Sequence, residues 1–401
     1  MRSLISLVVA VSSIASGCSP GALPPLEPRV ADPPAADGSV ASDVTTGADG
    51  RVYLSWIEPA GGETHRLRFS TWDGDGWSAP RTVAAGDGWF VNWADFPSMA
   101  ALADGTLAAH WLVRSDESSY AYDVLLAVSS DGGASWSEPT AVHADRTQTE
   151  HGFVSLLPAN GDEFHVIWLD GRELAGADHG GGAMTLRAAR FERNGLRSGP
   201  ESLIDSRVCD CCQTDAVLAA GGTPVVVYRD RTDDEVRDIS IVRREDDAWS
   251  EPVAVHHDDW RMPACPVNGP AVDHASARLA AAWFTAPDGS GRVQVAFSDD
   301  GGRTFGPPVR LGGDRAVGRV DLVMLDDGSA LVSWLEESRL SLQRVGPNGT
   351  RGPIHAVART SNERAAGFPR MTRAGELLFL TWTEPAEPSR VRAAVVALAD
   401  L

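Results

Sequence analysis

The chain of 401 residues contains no lysine: all 35 basic side chains are arginine, set against 55 acidic ones, for a formal net charge of -20. The missing amine excludes Schiff-base catalysis and any phosphate-binding loop of the Walker type. The acidic balance argues against nucleic acid, whose binding needs clustered cations. Arginine does keep the planar fork suited to bidentate carboxylate recognition. Tyrosine is scarce, with 4 in all and none after Tyr228. Long hydrophobic runs are missing too. No later segment approaches the ~20 apolar residues of a membrane span, and amphipathic helices of useful length are not apparent.

The first residues read as an export signal. Met1-Arg2 is followed by a short apolar run from Leu4 to Ile14 and then Ala15-Ser16-Gly17-Cys18. Small residues ending in Gly-Cys resemble the bacterial lipobox. The resemblance implies removal of residues 1–17, lipidation of Cys18 and an anchor in the membrane through lipid alone. Ser19, rather than Asp, at the next position points to the outer membrane, facing the periplasm or the cell surface. Residues 18–38 are rich in Pro, Ala and Gly and read as a tether and closing strand; residues 39–401 read as one domain.

That domain repeats every ~50–60 residues. Each unit has an apolar strand ending in an aromatic: Trp56, Trp111, Trp168, Tyr228, Trp283, Trp334 and Trp382. A second apolar strand follows each, as in Leu67–Trp72, Val124–Ser129 and Ile239–Arg243. Then comes a Pro signature, as in Trp77-Ser-Ala-Pro80, Trp136-Ser-Glu-Pro139 and Trp249-Ser-Glu-Pro252, read here as a fourth strand. An inner strand precedes each aromatic strand, as in Phe96-Pro-Ser-Met99. Seven inner, second and third strands are present but only six fourth strands after them. The missing one is read at Leu26-Glu27-Pro28-Arg29-Val30, which matches the Glu-Pro-x-x-Val of the others. The pattern predicts an all-β propeller of four-stranded antiparallel blades, seven in number, with six as the alternative. Closure by the N-terminal strand leaves no open edge.

Two hairpins carry a more specific mark. Ser129-x-Asp131-x-Gly133-x-Ser135-Trp136 and Ser298-x-Asp300-x-Gly302-x-Thr304-Phe305 share one pattern. Asp accepts turn amides, Gly takes positive φ, and the aromatic packs back under the hairpin. The pattern resembles the Asp-box, or BNR repeat, of the sialidase-like β-propellers. Those boxes are structural turns far from the active site, so the resemblance implies architecture first. It also implies a hydrolase with three arginines for a substrate carboxylate, an aspartate acid/base and, late in the chain, a tyrosine nucleophile activated by a glutamate. Here the comparable inner strand has Ser98 where the first arginine would stand, and no tyrosine follows Tyr228.

In propellers, ligands bind on the face shared by the loops that enter inner strands and those that join second to third strands. The loop entering blade four holds Cys209-Asp210-Cys211-Cys212, and Cys265 lies in the loop entering blade five, so four thiols are expected on one face. Three readings stay open. Disulfides in an oxidising compartment would pair Cys209 or Cys212 with Cys265. A copper or zinc site is the second, with His256, His257, Met262 or His151 completing the shell. A redox-active pair is the third. Around these lie Glu150 and His151, then Asp170, Arg172, Glu173 and His179, and the run from Arg229 to Asp238. The expected ligand-binding set is Arg229, Arg231, Arg172, Arg370, His151, Trp93 and Asn268, reading a glycan or small anionic ligand, with a protein partner as the alternative. Asp230, Asp170 and Asp95 are the candidate acids of a glycoside hydrolase. His110, His165, His274 and His355 fall on strands and read as core or edge residues.

Overall fold

The computed structural model describes residues 26–117, 120–159, 162–176, 182–246 and 248–401. Cys18, the export signal and His179 lie outside them. The described residues form seven antiparallel sheets arranged as propeller blades, with only four single 3-10 turns as helix. Blade one runs Val40–Thr46, Val52–Gly61, Thr64–Thr71 and Arg81–Gly86. Blades two to six repeat this order, and blade four adds a short extra strand, Ala248–Trp249.

Blade seven has only three consecutive strands, Arg370–Ala374, Leu377–Glu384 and Arg390–Ala397. Its fourth is Arg29–Val30, with Arg29 opposite Val395 and Val30 opposite Ala394. The missing fourth strand is therefore supplied from the other end of the chain, as the repeat count predicts. The Pro signatures sit slightly differently from expectation. Pro80, Pro139 and Pro252 precede their strands, which begin at Arg81, Thr140 and Val253. Proline has no N–H to give to a ladder, so it marks the entrance of the strand. The short strand Met99–Ala101 likewise starts after Pro97.

The core is divided into seven apolar clusters, each between two neighbouring blades. The seven repeat aromatics anchor them and are at most 6% exposed. Several use a polar tip as well: Trp56 donates to Glu58 at 2.9 Å, Trp168 to Asp170 at 2.7 Å, Trp334 to Glu336 at 3.0 Å, and Tyr228 to Asp205 at 2.6 Å. An apolar body with a satisfied tip is what makes a large ring tolerable in the core. Loss of one such ring to Ala costs about 3–5 kcal/mol in comparable cores.

Both Asp-boxes fold as expected. Asp131 accepts the amides of Ala134 and Ser135 at 3.0 and 2.9 Å and the hydroxyls of Ser129 and Ser135 at 2.7 and 2.6 Å. Asp300 repeats each contact with Arg303, Thr304 and Ser298. The glycines do more than turn. Gly133 has φ +84°, and a Cβ there would lie 2.3 Å from the Phe69 ring of blade one. Gly302 presses on Ile241 of blade four in the same way, at 2.7 Å. Each box therefore seats its hairpin on the blade before it. Trp136 meets Phe69 edge-on, ring centroids 6.1 Å apart, so it packs across the blade boundary too.

The inner strands surround a channel with a cavity of about 290 Å³. One side-chain contact stitches each pair of neighbouring blades there. Asp43 faces the Met99 amide, Asp95 accepts the Phe153 amide at 2.8 Å, and Thr214 donates to the Phe153 carbonyl at 2.9 Å. Asp215 holds the Val272 amide at 2.8 Å, Asp273 that of Met324 at 2.6 Å, and Asp321 that of Met371 at 2.6 Å. Thr372 accepts the Thr46 amide at 3.0 Å and completes the circle. Arg370, expected at a ligand, sits among these carboxylates, 3.3 Å from both Asp43 and Asp321.

Two predictions follow from these contacts. Gly133→Ala adds a ring clash to an unfavourable φ, whereas Gly132 (φ +69°) has nothing within 4 Å of its would-be Cβ. Gly133→Ala is thus expected to destabilise by about 1–3 kcal/mol more than Gly132→Ala in denaturant melts; equal losses would contradict the seating role. The second concerns pH. Burial raises Asp321 to about 7 and both Asp215 and Asp273 to about 6. Groups raised in the folded state contribute stability that is present at low pH and lost as pH climbs through the folded values. Buried His110 and His165, lowered to about 3 and 4 by burial, act oppositely as the unfolded imidazoles begin to charge near pH 7, but Asp95 and Glu150, raised by burial to about 7 and 8, add to Asp321 and outweigh them above about pH 6.5. The melting temperature should therefore rise between pH 8 and 6.5, and Asp321→Asn should flatten that slope. A wild-type melting temperature constant over this window would refute the assignment.

Candidate functional site

The four thiols do converge. The Cys209 and Cys212 sulfurs lie 2.9 Å apart, and the Cys211 sulfur is 4.0 Å from that of Cys209. Cys265 lies beside Cys211 on the neighbouring loop, outside the group of three sulfurs. Cys209 and Cys212 are buried, Cys211 is half-buried and Cys265 is exposed. Gly269 allows the two loops this close, since a Cβ there would stand 2.0 Å from the Gln213 carbonyl oxygen. Gln213 adds a second tie. Its amide donates to the Ala94 carbonyl at 2.6 Å and accepts the Gly269 N–H at 3.1 Å, bridging from blade two to blade five over the channel.

Arginines and carboxylates frame the thiols. Arg237 donates to the Cys209 sulfur at 3.2 Å and to Glu235 at 2.9 Å. Arg231 is held between Asp210 at 3.0 Å and Glu235 at 2.7 Å. Burial disfavours a thiolate at Cys209, but hydrogen bonds from Cys211 and Cys212 and nearby Arg229 outweigh it and hold that thiol well below its ordinary range. No histidine joins the three sulfurs among the described residues; His256 is 3.8 Å from Asp258, and the Met262 amide donates to the Glu235 carbonyl.

Several expected ligand-binding residues have structural partners instead. Arg229 is only 2% exposed; its guanidinium donates to the carbonyls of Asn268, Arg237 and Phe284 and lies over Trp260. Asn268 accepts the Arg319 amide and donates to Val317 and Pro266. Arg172 grips Asp170 at 2.7 and 2.6 Å and Glu201 at 2.9 Å. His151 stacks on His143, ring centroids 3.8 Å apart and 4° from parallel. Asp145 lies within 3.3 Å of a nitrogen of each ring. Burial alone disfavours charge on either ring. The carboxylates of Asp123, Asp145 and Asp170 still raise His143, while burial and His143 lower His151. Parallel rings 3.8 Å apart have in-plane lone pairs in different planes, so one ion cannot lie in both.

The three candidate acids stand in three separate places. Asp170 is fully buried under Trp168 and Arg172. Asp230 accepts the Ser240 hydroxyl at 3.0 Å and the Arg231 amide, and burial together with Asp205 raises it. Asp95, pushed by burial to about 7, binds the Phe153 amide and the Tyr122 hydroxyl. Tyr122 is what the sequence reading missed. Its hydroxyl bonds both Asp95 at 2.9 Å and Glu150 at 2.8 Å, and burial pushes Glu150 up to about 8. A tyrosine against a glutamate is the pairing asked of a sialidase nucleophile. This one is 0% exposed, and Phe90 stacks on it at 3.9 Å. A position in the middle of blade two gave no sign of the pairing, because Glu150 comes from the entry to blade three.

One cationic spot on the same face was also missed. Trp93 and Phe368 stack at 5.9 Å and 20°. Arg319 lies over both rings, at 5.0 and 5.8 Å, and the exposed Arg364 lies 5.8 Å from the Trp93 centroid. Arg319 donates to the Gly367 and Asn362 carbonyls; among the described residues neither arginine forms an ion pair. Burial and the neighbouring Arg364 lower Arg319 to about 10. Trp93 was expected as a ligand wall; the two arginines come from the entries to blades six and seven and share no motif with it.

No protein-family model matches the sequence, and no curated protein does. Solved structures do. A protein of unknown function from Dyadobacter fermentans superposes with a TM-score of 0.54 at 13% identity, over 94% of this chain and 100% of that one. The Penicillium chrysogenum alpha-L-arabinanase complexed with arabinobiose gives 0.51 at 13% identity, over 94% and 99%. A leech intramolecular trans-sialidase complexed with 2,7-anhydro-Neu5Ac gives 0.50 at 12% identity, over 87% and 83%. At these identities the likeness is one of fold, and the fold is that of the sialidase-like β-propellers, built here with seven blades.

Proposed function

We propose that this chain is an exported, lipid-anchored propeller that binds an acidic glycan, or a small anionic ligand of like chemistry, on the cysteine-bearing face without hydrolysing it. The observation that carries this is the pair Arg319 and Arg364 over the Trp93–Phe368 stack. The rings hold the guanidiniums in place by cation–π attraction, about 0.5–2 kcal/mol each. No carboxylate of the described chain neutralises them. Arg319 is only 4% exposed and donates to two carbonyls, so it steadies the platform, and a carboxylate on a ligand gains its charge-assisted bond at the exposed Arg364. The sugar ligands of the arabinanase and the trans-sialidase give coarse support for a glycan on this fold. Against hydrolysis stand the burial of Tyr122 and Asp170 and the separation of the three candidate acids.

The test pairs binding with turnover. Calorimetric titration with acidic oligosaccharides and their neutral counterparts should show preference for the acidic ones. Arg364→Ala, an exposed position, should weaken that binding about tenfold, or 1.4 kcal/mol, without changing the melting temperature. Fluorogenic sialosides should not be turned over. Turnover that Asp230→Asn abolishes would instead establish a hydrolase, and affinity indifferent to ligand charge would overturn the anionic reading.

A further inference from the structure

We propose that Cys209, Cys211, Cys212 and Cys265 form a binding site for one thiophilic d10 cation, Cu(I) or Zn(II), at the junction of blades four and five. Four sulfur donors come from two loops, and three of them lie mutually within 4.8 Å. Four thiolates are the donor set of a closed tetrahedral zinc site, and two or three suit Cu(I).

The surroundings fit a metal–thiolate group better than two disulfides. Arg237 donates a hydrogen bond to the Cys209 sulfur at 3.2 Å. A guanidinium N–H is well matched to a thiolate and poorly to a disulfide sulfur, which is a feeble acceptor. Four thiolates on a divalent cation carry two net negative charges, and Arg237 and Arg229 stand beside them to offset both. Arg237 is itself oriented by Glu235 at 2.9 Å, so the outer shell is built and not incidental. The geometry is fixed from below as well. The Cys209 amide donates to the Arg229 carbonyl at 3.0 Å, and the Gln213 bridge and Gly269 lock the second loop against the first. Cys265, the one exposed thiol, gives the entry path.

The site is independent of the glycan reading, since its ligands and those of the Trp93 platform share no residue. Metal uptake without glycan binding leaves this proposal intact, and the reverse result leaves the other intact. The test uses the full chain, isolated without chelator, by elemental analysis and by mass mapping of its thiols. About one copper or zinc per chain with four unmodified cysteines is expected, and competition with a chromophoric chelator should then rank Cu(I) against Zn(II) in the demetallated protein. Cobalt substitution should give a thiolate-to-metal charge-transfer band. Cys265→Ser and Arg237→Gln should each weaken metal affinity at least about tenfold. Cys265 is exposed, so its variant is expected to fold even where Cys209→Ser does not. A freshly isolated chain with two intact disulfides and no metal, or Cys265→Ser binding as tightly as the parent, would overturn the site.

Discussion

Closure of the ring is the constraint on which everything else depends. A propeller blade buries one face against each neighbour, so an incomplete ring leaves two apolar faces and a sheet edge in water. This chain closes twice over. At the rim, Arg29–Val30 supplies the last strand of blade seven. At the channel, a side chain of one blade binds the backbone of the next at every junction, from Asp43 and Met99 round to Thr372 and Thr46. Acidic side chains in a narrow channel are costly, and the raised Asp215, Asp273 and Asp321 show the cost. Arg370 offsets part of it. A group that sits in the channel is therefore committed to holding blades together, which is why Arg370 is a poor ligand clamp.

The same logic separates the structural polar residues of the face from those with capacity to spare. Arg229, Arg172, Asp170, Asn268 and His151 are buried or bonded on all sides, and each joins two loops or blades. Arg364 holds positive charge on an aromatic stack, over which the buried Arg319 also lies, without an acid beside it, and the thiols hold donors in excess of what pairing within the chain uses. Unbalanced charge and surplus donors, held in place by packing, are the features a ligand or ion resolves.

The Asp-boxes illustrate how a local motif serves the ring. Asp131 and Asp300 satisfy turn amides within their own hairpins, so the motif is complete within eight residues of sequence. Its glycines face outward from the hairpin onto Phe69 and Ile241 of the preceding blade. The motif thus fixes the hairpin and the spacing between blades at once.

The sequence by itself determined the fold class, the seven repeats, the closing strand and both Asp-boxes. Those features rest on local patterns: apolar alternation, turn chemistry and an aromatic at one register. It also placed four cysteines on one face, because adjacent blades put their entry loops side by side. Only the tertiary structure decided which polar residues are free. Tyr122 meets Glu150 of the next blade, Arg319 and Arg364 of blades six and seven meet Trp93 of blade two, and Arg229 turns inward to three carbonyls. A side chain's partners across a blade boundary lie far away in sequence, 28 residues for Tyr122 and Glu150 and 39 for Arg229 and Asn268, and no local pattern encodes whether they neutralise it or leave it open.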